Sequence, residues 1–189
     1  ETATMLSGSY MMYGRHGAGP AEAEFDTARF QMPNGSARMD AVRAAILLDQ
    51  IASLPDRIGR WNALYRAAAA GLADLPGVTL PRRPQVEGFV GSSIQFLVAP
   101  DCSADRCRAF VAACAARGVE LKWFGAPDPQ GFTSRFDHWH FAPQPPLPRT
   151  AAVLRRLFDM RLPLTFTPAD CTLIARIIAE ETDSLTEAA

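Results

Sequence analysis

The sequence has almost no lysine, no long apolar run and no closely spaced pair of cysteines, and each shortage excludes a class of protein. Its 19 basic Lys and Arg residues include one lysine, Lys122. With the abundant alanine, this bias is typical of a GC-rich bacterial genome. No stretch approaches the ~20 apolar residues that a membrane-spanning helix needs, and the first residues lack a signal-peptide pattern. The formal net charge is −1, so no basic excess predicts a nucleic-acid partner.

The four cysteines are spaced too widely for a zinc ribbon or a thioredoxin-like motif. They are Cys102, Cys107, Cys114 and Cys171, and no two of them form a C-x-x-C pair. Cys107 and Cys114 are seven residues apart, which places them on one face of a helix. We therefore expect small buried hydrophobic residues rather than metal ligands or disulfides. This cysteine usage suits a reducing cytoplasm.

Two adjacent stretches have the spacing of helices that bury one face. Pro55 lies between them, so residues 40–74 are predicted to form two helices or one kinked helix. Ser53 and Asp56 have the spacing of a capping box at this break. Both apolar stripes are expected to lie in the core. Their members are Ala44, Leu47, Leu48, Ile51 and Leu54, then Ile58, Trp61, Tyr65, Ala68 and Leu72.

After Gly77 the pattern changes to short strands that alternate with helices. The stretches "VTLP", "SSIQFLVAP" and "VELKWF" have strand character. Residues 103–117 are predicted to form a helix capped by Ser103, and a last helix begins with a capping box at Thr167. Leu157 and Phe158 fit a short helix, with the following "MRLPLTF" extended. The order predicts an α+β layer, in which a small mixed or antiparallel sheet carries helices on one face.

The segment "SARMDAVRAAILLDQIASLPDRIGRWNALYRAAAAGLADLPGVTLP" resembles the stretch that follows the active-site lysine in the DegT/StrS-type sugar aminotransferases. The family pattern is an Asn-aromatic-Arg-Met turn, an Ala-Ala pair, a Gln-Leu pair, an arginine-rich helix and a Leu-Pro-Gly-Val exit. Arg15-His16-Gly17 is similar to its His-Gly element, and "LPRTAAVLRRLFDMRLPLTFTPADCTLIARII" to its closing pattern. The matching residues of the long segment are Arg38-Met39, Ala44-Ala45, Gln50-Ile51, Arg57, Arg60 and Leu75-Pro76-Gly77-Val78.

This resemblance implies the C-terminal half of a homodimeric pyridoxal-phosphate enzyme of the aspartate-aminotransferase fold. Residues 1–39 would end the large cofactor domain and supply an active-site loop, residues 40–75 would form a long kinked inter-domain helix, and residues 76–189 the small domain. The implied reaction moves an amino group from glutamate or glutamine to a keto-sugar or a cyclitol ketone. No Ser-x-x-x-Lys segment is present, so the Schiff-base lysine of the family has no counterpart here.

The resemblance assigns the loop before the long helix to the cofactor phosphate of the neighbouring subunit. Ser36 offers a hydroxyl and Asn34 an amide there, although the family has Asn at position 36 and an aromatic residue at position 37. The alternative is a turn with Asn34-Gly35 that only precedes a helix capped by Asp40. Arg38 is a candidate for a substrate carboxylate or diphosphate, or for a surface ion pair.

Four further residues are candidates for the substrate side of the site. His16 lies in a glycine-flanked loop, and Arg135 has the planar fork that grips a carboxylate. His138 and His140 straddle Trp139, so they face one way if the segment is extended; two ligands fall short of a zinc site. Rival interpretations are a non-catalytic binding or scaffold module and a small metal-assisted enzyme centred on this histidine pair. Each of the four residues also fits an ordinary surface position.

Overall fold

The computed structural model describes residues 41–84, 86–128, 137, 139–143 and 145–186. The helices are α1 (Ala41–Ala52), α2 (Leu54–Leu72), α3 (Ala104–Ala116), α4 (Pro148–Leu154) and α5 (Pro168–Thr186). The strands are β1 (Val78–Thr79), β2 (Ser93–Val98), β3 (Lys122–Trp123) and β4 (Leu157–Arg161). None of the helices in this described part is long and apolar enough to cross a membrane.

Contacts divide the chain into two compact units. One combines Glu1–Ala44 with Pro127–Pro148, and the other combines Ala45–Ala126 with Arg149–Ala189. In the first unit, the rings of Trp139 and Phe141 stack with centroids 5.4 Å apart. The second unit contains all four strands and most of the helical residues. The sheet and its helices are therefore described within this second unit.

The sheet has the strand order β1-β2-β4-β3, and every neighbouring pair is antiparallel. Along β2, Ile94, Phe96 and Val98 are buried while the residues between them are half-buried, because successive side chains of a strand point to opposite faces. Phe110 of α3 packs against Phe96 on the buried face. This arrangement confirms the predicted α+β layer and fixes its sheet as antiparallel.

The centre of the core is an aromatic cluster around Phe158 of β4, which is fully buried. Its ring stacks on Phe96 at 5.4 Å, meets Phe110 edge-on at 5.4 Å and lies parallel to Trp123 at 6.3 Å between centroids. The indole Nε1 of Trp123 donates a hydrogen bond to the carbonyl of Arg155 at 2.8 Å. Three strands and α3 thus meet at one side chain.

Helix ends formed by local hydrogen bonds agree with the sequence-based expectations. The Ser103 hydroxyl accepts from the backbone N–H of Arg106 at 3.3 Å. At the start of α5, Thr167 N–H donates to the Asp170 carboxylate at 2.8 Å, and Asp170 N–H donates to the Thr167 hydroxyl at 3.2 Å. The hydrogen bond from the Thr167 N–H, followed in size by the one from its hydroxyl, lowers the pKa of the Asp170 carboxyl group. Gly118, with φ of 83°, provides the left-handed residue just beyond α3.

The capping box expected at Ser53 is wrong, although the helix does break next to Pro55. Ser53 has helical angles, makes no side-chain cap, and donates its hydroxyl to the carbonyl of Gln50 at 3.0 Å. An N-cap residue has extended backbone angles, so the helical angles of Ser53 are those of a residue that continues α1 and not of one that caps α2. Pro55 has no N–H for the carbonyl of Ile51, and this missing bond accounts for the break.

The two apolar stripes differ in burial, which corrects half of the core prediction. On α2, Leu72, Ala68 and Tyr65 are buried as expected, because α2 packs along α5 and against β2. No residue of α1 is buried, and Ile51, for example, remains 60% exposed. Helical spacing predicts which side chains share a face, but a second element must cover that face to bury it.

Leu157 and Phe158 were expected in a short helix and lie instead in β4. Helix α4 ends at Leu154, and β4 pairs with β2 over five residues from Leu157↔Leu97 to Arg161↔Ser93. The spacing of Val153, Leu154, Leu157 and Phe158 fits a helix as well as it fits two elements. The ladder to β2 supplies hydrogen bonds from a distant segment, and these decide the conformation.

We expect Gly71→Ala to destabilise the protein by about 1–3 kcal/mol through overpacking. A Cβ built on Gly71 would lie 2.6 Å from the Cβ of Ala175 on α5. Ala175 is fully buried and cannot swing away, so α2 and α5 would have to separate. Urea denaturation of both proteins measures the difference.

Gly59 of the same helix provides the matched control, because nothing lies within 4 Å of a Cβ built there. Gly59→Ala is expected to stabilise the protein by about 0.5–1 kcal/mol, the usual gain from replacing an interior helical glycine. The two identical substitutions should therefore act in opposite directions. Stabilisation by both would show that the contact between Gly71 and Ala175 is not close.

All four cysteines are buried, as expected, and all are free thiols. The Sγ atoms of Cys102 and Cys107 are 3.5 Å apart. Burial, followed by the hydrogen bond with Cys102, raises the pKa of Cys107 to about 12. Burial, followed by the nearby Glu181 carboxylate, also raises the pKa of Cys114 to about 12. These thiols act as core hydrophobic groups.

Candidate functional site

Six of the seven residues predicted for the site lie outside the described residues: Asn34, Ser36, His16, Arg38, Arg135 and His138. Their assignments stay predictions. His140 is described, and its side chain is exposed in a bend between Trp139 and Phe141. Among the described residues, the structure therefore places one of the candidate substrate residues, His140, at the surface of the first unit.

The single lysine faces away from the core, as the alternation of its strand predicts. Leu121 and Trp123 are buried at 5% and 4% exposure, while Lys122 between them is half-buried. The ammonium Nζ of Lys122 lies 4.8 Å from the centroid of the Phe124 ring. The negative face of an aromatic ring attracts a cation in this position. The Lys122 side chain thus lies on the open side of the sheet, against the Phe124 ring.

This open side of the sheet forms a cleft of about 600 Å³. All of its lining residues belong to the second unit. They combine four charged side chains, two neutral polar ones and an apolar wall. The lining residues are Ser93, Gln95, Gly118, Glu120, Lys122, Phe124, Asp159, Met160, Arg161, Pro163 and Phe166.

The sheet register sets the polar residues of this cleft in two rows. Gln95, Asp159 and Lys122 are cross-strand partners in one row. In the next row, Ser93 is the partner of Arg161. Asp159 and Arg161 are two residues apart on β4, so their side chains leave the same face at positions about 6.6–6.8 Å apart. A carboxylate and a guanidinium therefore stand side by side above the sheet.

Sequence reasoning noted Lys122 as the single lysine without assigning it to a site, and it missed Gln95, Asp159 and Arg161. The signal was present in the alternation of "SIQFLV" and "LFDMR", in which polar residues separate buried ones. It was overlooked because Leu157 and Phe158 were assigned to a helix, which hides the alternation of β4. Even a correct strand assignment would not have shown that β4 pairs with both β2 and β3.

The same fold occurs in part of the solved structures of aminotransferases. The crystal structure of the aminotransferase TlmJ from Streptoalloteichus hindustanus matches 77% of this chain with a TM-score of 0.62 and 16% identity. DesI, solved in the presence of its TDP-sugar product, matches 78% with a TM-score of 0.60 and 18% identity. The crystal structure of 3-amino-5-hydroxybenzoic acid synthase matches 86% of this chain with a TM-score of 0.60 and 18% identity.

The particular family follows from the sequence. The model of the DegT/DnrJ/EryC1/StrS aminotransferase family matches residues 6–179, and the chain belongs to this family. Its members are pyridoxal-phosphate-dependent aminotransferases. The chain covers 37%, 36% and 47% of the three solved structures, in the order given above. No curated protein matches the chain significantly.

Proposed function

We propose that this chain is the C-terminal portion of an aminotransferase that moves an amino group from glutamate or glutamine to a keto-sugar or a cyclitol ketone. The observation that carries the proposal is the family match over residues 6–179. The likeness to aminotransferase structures supports the fold of this portion. The chain covers less than half of each of those structures, so the reaction of the whole protein is part of the proposal.

In this proposal, the loop with Asn34 and Ser36 holds the cofactor phosphate of the neighbouring subunit. A hydroxyl, an amide and nearby backbone N–H groups can all donate to phosphate oxygens. Pyridoxal phosphate, when bound, supplies the carbanion-stabilising chemistry of amino transfer. This chain's own residues bind and orient it. Because each site borrows the loop from its neighbour, the active form is proposed to be a homodimer, acting in the cytoplasm.

The substrate side of the site is assigned to polar residues of two segments. His16 and Arg38 would contact the sugar substrate or its anionic group. Arg135, His138 and His140 would line the mouth of the site, with Arg135 gripping the carboxylate of the amino donor in a bidentate fork. In the accompanying domain division, residues 1–39 complete the large domain, residues 40–75 connect the domains, and residues 76–189 form the small domain.

Ser36→Asp in the complete gene product is expected to weaken retention of pyridoxal phosphate by about 1–3 kcal/mol, which corresponds to roughly 5- to 150-fold. The new carboxylate would repel the phosphate and remove one hydrogen-bond donor. The dissociation constant is measured by the absorbance of the bound cofactor during dialysis against increasing volumes of buffer.

Ser103→Asp is the matched control for the change at Ser36. It adds the same charge at the N-cap of α3, where Ser103 accepts a hydrogen bond from Arg106 and Asp caps equally well. Cofactor retention should therefore be unchanged in this variant. Unchanged retention in a dimeric, folded Ser36→Asp variant would remove Ser36 from the phosphate site. A complete gene product that lacks a cofactor-binding lysine and catalyses no transfer would favour the binding or scaffold module instead.

The 189-residue chain alone is expected to form no specific covalent bond with pyridoxal phosphate. A lysine that attacks the cofactor aldehyde must be desolvated and able to lose its proton. The ammonium of Lys122 instead lies at the open cleft, 4.8 Å from the centroid of the Phe124 ring, and is not enclosed in the core. The check is borohydride reduction with substoichiometric cofactor, followed by peptide mass spectrometry. Attachment of nearly all the added cofactor to Lys122 would show that this chain carries its own catalytic lysine.

A further inference from the structure

The cleft on the open face of the sheet contains equal numbers of positive and negative side chains. Lys122 and Arg161 contribute the positive charges, and Glu120 and Asp159 contribute the negative ones. Their formal sum is zero. A polyanion such as a nucleoside diphosphate would face two carboxylates here as well as two cations. The cleft therefore matches a ligand that carries both signs of charge.

These four side chains do not neutralise one another. Within the described part of the chain, no ion pair of 4.0 Å or less joins any two of them. Lys122 and Asp159 are cross-strand partners, a position in which opposite charges attract, yet the Lys122 ammonium lies over the Phe124 ring. Opposite charges do form ion pairs elsewhere in the protein, where Arg117 contacts Glu181 at 2.8 Å. The charges of the cleft thus remain available to a ligand.

Each charged residue of β4 lies opposite a neutral residue of β2 whose side chain can form hydrogen bonds. Gln95 lies opposite Asp159, and Ser93 lies opposite Arg161. An ammonium group at Asp159 could also donate to the Gln95 amide oxygen, and a carboxylate at Arg161 could accept from the Ser93 hydroxyl. The planar guanidinium of Arg161 can hold both oxygens of a carboxylate at once.

The remaining walls of the cleft are apolar. Phe124 borders it beside β3, and Pro163 and Phe166 border it beyond the end of β4. The volume of about 600 Å³ lies within the range of about 300–1,000 Å³ that small-molecule sites have. A ligand that fits these walls has a short charged end and an apolar body.

We propose that this cleft binds a free α-amino acid with an apolar side chain. The ammonium group of the ligand contacts Asp159 and Gln95, its carboxylate contacts Arg161 and Ser93, and its side chain packs against Phe124 and Phe166. This binding site is independent of the proposed amino transfer, in which the donor is glutamate or glutamine and the assigned residues lie in other segments. It remains testable if the chain has no transferase activity.

L-Phenylalanine is the probe, and isothermal titration of the full 189-residue chain measures its binding. N-acetyl-L-phenylalanine lacks the ammonium group, and phenethylamine lacks the carboxylate. We expect L-phenylalanine to bind with one-to-one stoichiometry, and each truncated ligand to bind about tenfold more weakly, as the loss of a hydrogen bond between charged groups predicts. Uridine monophosphate is expected not to compete.

Two variants assign the two ends of the ligand. In Asp159→Asn, L-phenylalanine and N-acetyl-L-phenylalanine should bind about equally, because the partner of the ammonium group is lost. In Arg161→Gln, L-phenylalanine and phenethylamine should bind about equally. Asp105→Asn and Arg176→Gln make the same charge changes at exposed helical positions and should leave affinity unchanged. Circular dichroism confirms that each variant is folded.

The proposal is overturned by three results, of which two need no variant. The first is that the unmodified chain does not bind L-phenylalanine at millimolar concentration. The second is that it binds uridine monophosphate more tightly than L-phenylalanine. The third is that L-phenylalanine binds, but the folded Asp159→Asn and Arg161→Gln variants discriminate among the three ligands as the unmodified chain does. In that case the amino acid binds elsewhere on the protein.

Discussion

Phe158→Ala is expected to destabilise the protein by about 3–5 kcal/mol, the usual cost of removing a buried phenylalanine ring. Phe158 is fully buried and contacts the rings of Phe96, Phe110 and Trp123. Its removal would leave a cavity where β2, β3, β4 and α3 meet. The free energy of unfolding is measured by urea denaturation, with the far-ultraviolet circular dichroism as signal.

Phe166→Ala is the matched control, because Phe166 is only partly buried at the edge of the open cleft. The same ring is removed there, but solvent from the cleft can fill the space. We expect less than half the loss of stability. Equal losses in the two variants would contradict the central role of Phe158, and a loss below about 1.5 kcal/mol for Phe158→Ala would show that the aromatic cluster repacks.

Cys107 and Cys114 are expected to react with iodoacetamide at pH 8 on the order of a thousandfold more slowly in the folded protein than after unfolding. Only the thiolate reacts. With the pKa raised to about 12, roughly one thiol in ten thousand is ionised at this pH, against about a quarter for a free cysteine. Timed alkylation and peptide mass spectrometry, with and without guanidinium chloride, give both rates.

The same pKa shifts determine how stability changes with pH. The unfolded thiols ionise first, near pH 8.5–9, so the unfolded state binds fewer protons than the folded state above that pH. This contribution to stability is therefore fully present below about pH 8.5 and falls progressively towards pH 12. A Cys107→Ala, Cys114→Ala variant should lose less stability between pH 8 and pH 10.5. Rapid alkylation of either thiol in the folded protein would contradict the burial that raises the pKa.

Local patterns in the sequence were reliable where the hydrogen bonds that form an element are also local. The helix α5 begins as predicted because Thr167 and Asp170 satisfy each other's backbone N–H groups within four residues. Ser103 caps α3 for the same reason. At Ser53 the same residue types failed, because the backbone there keeps helical angles and the hydroxyl donates back to the carbonyl of Gln50. A capping pattern that directly follows another helix can remain part of that helix.

The family could also be recognised from the sequence, since ordered motifs along the chain resemble the DegT/StrS pattern and the family match covers residues 6–179. The cleft could not be predicted in this way. Its residues come from β2, β3, β4 and the segments beside them, which are up to about 70 positions apart. Gln95, Asp159 and Lys122 become neighbours only because two strand pairings set their register.

The sequence by itself determined the helix pattern of residues 41–72, the caps of α3 and α5, the burial of the cysteines and the aminotransferase family. These depend on short-range spacing and residue type. The tertiary structure decided three other features: the strand at Leu157–Arg161, the exposure of α1, and the cleft on the open face of the sheet, which contains charges of both signs. The reason is that strand pairing and burial require a second segment, and the free energy of that contact belongs to both segments. No local stretch of sequence contains it.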